Sequence, residues 1–115
     1  MSAIDLLTAH FERMRGQKYT VPGVTDAEGK PFVIHFDPPT NRDAAQVKAR
    51  SGGGTDQGKL ALYTVIYLAK DAEGKRLFED NAATVQALTE RVNGATLNLM
   101  AQAIMQAGAV TDLGN

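Results

Sequence analysis

Residues 60–69, LALYTVIYLA, make a ten-residue stretch that is uncharged and apolar but for Thr64 and the tyrosine hydroxyls, in a chain of 115 residues. Such a stretch has to be covered on every side, so it fixes the centre of whatever the chain folds into. It carries no useful hydrophobic period. Valine, isoleucine and tyrosine favour a strand, whereas leucine and alanine favour a helix, and both remain open for 59–70. Length favours a buried helix. The run is half of the ~20 residues that a membrane-spanning helix needs, so it reads as a core element and not as an anchor.

Around this centre the pattern predicts an α+β fold: one predominantly helical domain over 1–115 with an N-terminal β-hairpin. Ser2 followed by Asp5 is a capping-box start signal, and Ile4, Leu7, Phe11 and Met14 recur at helical spacing until Gly16 ends the helix. Residues 18–21 and 31–37 read as two strands joined by a loop over 23–30, with Phe32, Ile34 and Phe36 on one face. Thr40 with Asp43 opens a second helix running to about Arg50. Residues 51–58, SGGGTDQG, form the one segment that reads as flexible. Asp80 is the expected cap of the next helix, whose stripe is Val85, Leu88 and Val92. Asn93-Gly94 interrupts, Thr96 can recap, and Leu97, Met100, Ile104 and Met105 continue to Gly108. Residues 109–115 are expected to fray. The pentapeptide DAEGK occurs at 26–30 and again at 71–75, each copy soon followed by phenylalanine. Acidic residues and glycine suit turns independently, so the repeat reads as shared turn chemistry.

Composition excludes several classes of function. Residues 1–58 carry seven basic and seven acidic side chains and 59–115 carry five and six, leaving no electrostatic footprint for nucleic acid or an anionic membrane. There is no cysteine, which removes disulfides, thiolate nucleophiles and cysteine-ligated zinc. The N-terminal segment has no basic opening before its apolar residues and does not read as a signal peptide.

No catalytic constellation stands out. Residues 53–60 nearly spell a phosphate-binding loop, but position 60 is leucine where a hydroxyl should meet magnesium, and no buried strand precedes it. His10 and His35 lack metal-type neighbours, no G-x-S-x-G elbow occurs, and Glu73, Glu79 and Asp80 fit a solvated turn. The expectation is a non-enzyme without metal, cofactor or small-molecule substrate. Met100 and Met105 are adaptable side chains on an alanine-rich helix. Leu97, Met100, Ile104 and Met105 read as core, or in part as an exposed groove for a partner helix, and both hold if the helix has a broad apolar face.

The order of features in 60–80 resembles the central signature of tail assembly chaperones of long-tailed bacteriophages. The resemblance lies in the apolar segment, the turn with Asp71 and Gly74, the pair Leu77-Phe78, and the acidic Asp80. Residues 19–37, followed by Pro39-Thr40 and a charged helix, resemble that family's opening hairpin and first connection. The triple-glycine loop is unusually long, and a second acidic cluster after Asp80 is missing. Physically the motif reads as a structural lock. Gly74 supplies an unusual backbone angle, Leu77 and Phe78 bury roughly 2–3 kcal/mol each, and Asp80 caps for about 1 kcal/mol.

What the resemblance implies is a non-catalytic protein of the bacterial cytoplasm, absent from the mature virion. It would bind the tape-measure protein, keep it soluble and help recruit tail-tube subunits, the major tail protein. Self-association into a homo-oligomer is compatible with an exposed apolar stripe. Two rivals stand beside it: a small tail or head-completion protein, and a regulatory binding module using residues 2–15 as a dimerising helix.

Overall fold

In the computed structural model, which describes residues 2–107, the uncharged stretch is a helix. The elements in order are α1 (Ala3–Met14), β1 (Gln17–Thr25), β2 (Pro31–Phe36), α2 (Asn41–Arg50), α3 (Gln57–Leu68), α4 (Ala82–Glu90) and α5 (Gly94–Met105). The α+β class, helical with an N-terminal antiparallel hairpin, is thus observed. Every residue from Ala61 to Ala69 is buried. Helix α3 packs against α2, α4 and α5, and α5 reaches β1. Ile34, Ile66, Ile104, Val21 and Val65 are the largest fully enclosed side chains, so the hairpin's inner face, α3 and α5 meet in one core.

The elements begin where local chemistry satisfies the free amides of helix N-termini. Ser2 Oγ accepts from the Asp5 N–H at 3.2 Å, and Thr40 Oγ1 accepts from the Asp43 N–H at 3.1 Å, each acid returning a bond to its cap residue. Asp56 caps α3 by accepting from the Lys59 N–H, so residues 57–58 are helical and the segment read as flexible over 51–58 is shorter. Its first part closes α2. Ser51 is buried and its hydroxyl donates to the Lys48 carbonyl, while the Gly53 N–H turns back to the same carbonyl. Two expected caps are corrected. Asn81, not Asp80, caps α4 through the Thr84 N–H, and Asn93, not Thr96, caps α5 through the N–H groups of Ala95 and Thr96.

Strand β1 runs from Gln17 to Thr25, longer than the expected 18–21, and β2 ends at Phe36. The loop between them contracts to 26–30 because the Asp26 carboxylate gathers the N–H groups of Glu28 and Lys30 at 2.9 and 3.0 Å. A register shift between Thr20 and Thr25 absorbs the extra length, with Gly23 at φ 76° inside it. The second DAEGK repeats the first bond for bond. Asp71 Oδ1 accepts from Glu73 and Lys75 at 2.9 Å each, and Gly29 and Gly74 both take φ above 80°. Lys70 pairs with Arg76 across this turn as Thr25 pairs with Pro31 across the other. Lys70 also pairs with His35, so the second turn extends the hairpin sheet beyond β2.

Helix α1 is the exception to the packing. None of its residues is buried. Its root is fixed: the Gly16 N–H donates to Asp37 Oδ1 at 2.9 Å, Arg15 reaches Asp37 Oδ2 at 3.5 Å, and Gln17 Nε2 donates to the carbonyls of Met14 and Ala107 at 2.8 and 2.7 Å. The radius of gyration is 15.0 Å, above the roughly 13 Å of a compact chain this long, as a projecting helix requires. The expected end of α5 at Gly108 and the fraying expected over 109–115 lie outside the described residues.

Candidate functional site

The motif residues assemble around one clasp. Leu77 and Phe78 are half-buried against the core, and the Leu77 N–H donates to the Ala69 carbonyl at 3.1 Å, which folds the turn back onto the end of α3. Asp80 then faces α2 and α3. Its carboxylate accepts two bonds from the Arg50 guanidinium, at 2.8 and 2.9 Å, and a third from the Tyr67 hydroxyl at 2.5 Å. Arg50 also lies over the Tyr63 ring at 4.9 Å, and Arg76 over the Tyr67 ring at 4.5 Å. The two tyrosines meet edge to face.

These contacts shift the ionisations. The Arg50 hydrogen bonds, followed by that of Tyr67, pull the Asp80 carboxyl down to about 2. The same carboxylate raises the Tyr67 hydroxyl and holds Arg50 more firmly protonated. A second carboxylate, Asp37, is pushed up by burial. It is lowered overall by the Gly16 N–H and the charges of Lys70 and Arg15. Both acids are committed to holding segments together. Among the described residues no three His, Asp or Glu side chains gather as a metal site would need. No described helix is long and apolar enough to cross a membrane. His10 sits exposed on α1, and His35 pairs through its backbone with Lys18 and Lys70. The near-phosphate loop follows helix α2 and not a strand, and its lysine, Lys59, lies within α3.

The α5 stripe divides. Leu97, Met100 and Ile104 are buried beneath α3, whereas Met105 is half-exposed, as is Leu99 on another face of the helix. A partner reaching the first three would have to displace α3. What α5 does offer is one wall of a groove of about 740 Å³ between α2, α3 and α5. Val47, Leu60, Ala61, Ala101 and Met105 supply its apolar surface, and Gln57, Asn98, Gln102 and Gln106 its amide rim. Alanines and Gly54 keep its walls low, which allows the backbone of another helix to approach closely. Among the described residues, Lys48 is the one charged side chain lining it.

The other open apolar surface is on α1. Ile4, Leu6 and Leu7 are 64%, 57% and 65% exposed, the largest fractions of any described large hydrophobic residue. The 4-7-11-14 spacing signals an amphipathic helix, but nothing in the sequence says that its own domain leaves the face uncovered. The groove was harder still to anticipate, because its residues come from three separated segments and none forms a motif. Comparison of the chain with protein-family models, with curated proteins and with solved structures finds no match.

Proposed function

We propose that this protein is a non-catalytic phage tail assembly chaperone. It holds helical stretches of the tape-measure protein in the cytoplasm of the bacterial host, keeps them soluble and presents them to tail-tube subunits. The observation that carries this reading is the groove between α2, α3 and α5: an apolar bed with low walls and an amide rim. Helix-in-groove recognition needs an apolar stripe at i, i+3, i+4 and i+7 on the partner and few fixed charges on the receptor, and the described residues lining this groove include one charge, Lys48. Near-zero net charge suits a client of mixed composition, and many weak sites along one extended client add through avidity. The Asp71–Asp80 segment adds the family resemblance.

Co-expression with a long tape-measure protein tests it. The expected result is a soluble client eluting with several copies of this chain, and loss of that complex on Met105→Glu, an exposed position on the groove wall. An insoluble client beside a folded chain eluting alone would favour the rival reading, a small virion component, which would then be found in purified particles.

A further inference from the structure

Among the described residues, the chain carries an amphipathic helix that no groove covers and a groove that no helix fills. We propose that the two belong together across a molecular two-fold axis: α1 of one copy seats in the α2–α3–α5 groove of a second copy, and reciprocally. Three observations lead there. First, α1 is 12 residues long, and isolated helices of that length are marginal in water, yet none of its side chains is buried against the described residues. Second, its root is fixed to the body by Asp37 and by the Gln17 bridge to Ala107, so where the helix starts from is set while its face stays open. Third, the areas decide between two ways of pairing. Two α1 helices packed only on each other would cover little beyond Ile4, Leu6 and Leu7, a small part of the ~800 Å² per partner of a stable interface. Seating each α1 in the other copy's groove buries a helix face and a groove on both copies and approaches that size.

Charge agrees with this arrangement. Among the described residues Lys48 is the charged side chain on the groove, and α1 carries Asp5 beside its Ile4–Leu7–Phe11 stripe, Glu12 being already paired with Arg15 at 3.2 Å. Reciprocal exchange also closes the assembly, leaving neither the helix nor the groove open. Dimerisation is inferred from the chain alone. That the dimer is a resting form, in which α1 covers the groove until a client helix displaces it, rests on the function proposed above.

Absence of cysteine makes the test clean. Leu7→Cys and Met105→Cys, both at exposed positions, are prepared as separate full-length proteins, mixed, and treated with a short bis-maleimide. The expected main product joins Leu7→Cys to Met105→Cys chains. A product joining only Leu7→Cys chains would replace the proposal with simple α1 pairing. An intrachain product in the double variant would show α1 folding onto its own groove and overturn it. Light scattering on the unmodified chain should give twice 12.3 kDa at tens of micromolar. Leu7→Glu should halve that mass without changing the circular dichroism spectrum. A monomer, or a ladder of larger species, would overturn reciprocal pairing. No client enters these measurements, so a dimer with no client affinity would refute only the chaperone reading, and a client-binding monomer only this one.

Discussion

Arg50 and Asp80 lie thirty residues apart and meet in a two-bond pair, Nε to Oδ2 at 2.8 Å and Nη2 to Oδ1 at 2.9 Å, with the Tyr67 hydroxyl completing the carboxylate's partners. The pair fastens the end of α2 to the segment that leads into α4, across the face of α3. A planar guanidinium fits both carboxylate oxygens, which a lysine ammonium does not. Arg50→Lys is therefore expected to lower the melting temperature nearly as far as Arg50→Ala, although the charge is kept. Thermal unfolding by circular dichroism compares the two. Full retention of stability in the lysine variant would make the pair a simple charge contact.

The same clasp predicts a pH response. The folded-state carboxyl of Asp80 lies at about 2, below its ordinary value of 3.8. A depressed carboxyl stabilises the fold above its unfolded pKa, and the contribution disappears as pH falls through the folded one. The Asp80 contribution is thus complete above about pH 5 and lost between there and pH 2. Asp80→Asn should melt lower than the unmodified chain at pH 6 and converge with it by pH 2. Parallel curves across that range would count against the clasp.

The twin turns offer an internal control. Gly29 and Gly74 have φ of 81° and 87°, and a β-carbon at either would meet nothing within 4 Å. Alanine at each should cost about 1 kcal/mol from backbone strain alone, and the two losses should match. Gly54 has a similar φ of 87°, but its added β-carbon would lie 3.0 Å from the Lys48 side chain. Gly54→Ala should therefore cost more than either, unless the lysine stem swings aside. Urea titrations of the three variants rank them directly.

The motif phenylalanine separates lock from binding surface. Phe78 is half-buried against the core beside Leu77. Phe78→Ala is expected to cost about 2 kcal/mol, below the usual loss for a fully buried phenylalanine. It should lower the melting temperature without preventing cross-linking between α1 and the groove at temperatures where the fold survives. Unchanged stability would remove Phe78 from the core.

Local signals were legible where local chemistry decides them. The capping boxes at Ser2 and Thr40 and the two aspartate–glycine turns stand where their residues indicate. The Asp80 cap failed because Asn81 stands next to it and satisfies the same amides, leaving Asp80 to a partner thirty residues back that no window of sequence contains. Residues 60–69 carried no period because all their sides are buried, so only the surrounding helices decide between helix and strand. The groove was invisible for a related reason: Val47, Leu60, Ala61 and Ala101 look like ordinary core positions until three helices leave a gap between them. The stripe on α1 was visible, but its lack of cover is a property of the whole fold.

Ile104 and Met105 put the division of α5 to a direct test. The two are adjacent, yet Ile104 is fully enclosed and Met105 is 50% exposed on the groove wall. A helix turns about 100° per residue, so one side chain enters the core while the next leaves it. Ile104→Ala should remove buried contacts and leave a cavity, costing about 3 kcal/mol. Met105→Ala should leave the stability of the separated monomer within about 0.5 kcal/mol, as surface substitutions do. The same change should weaken whatever occupies the groove. Denaturant unfolding at micromolar and at hundred-micromolar chain separates the effects, because only a groove contact between copies makes the midpoint depend on concentration. The expected pattern is a low, concentration-dependent midpoint for Ile104→Ala, and for Met105→Ala a normal midpoint at low concentration that fails to rise at high. Equal losses for both variants at low concentration would place Met105 in the core, and the groove would lose its wall.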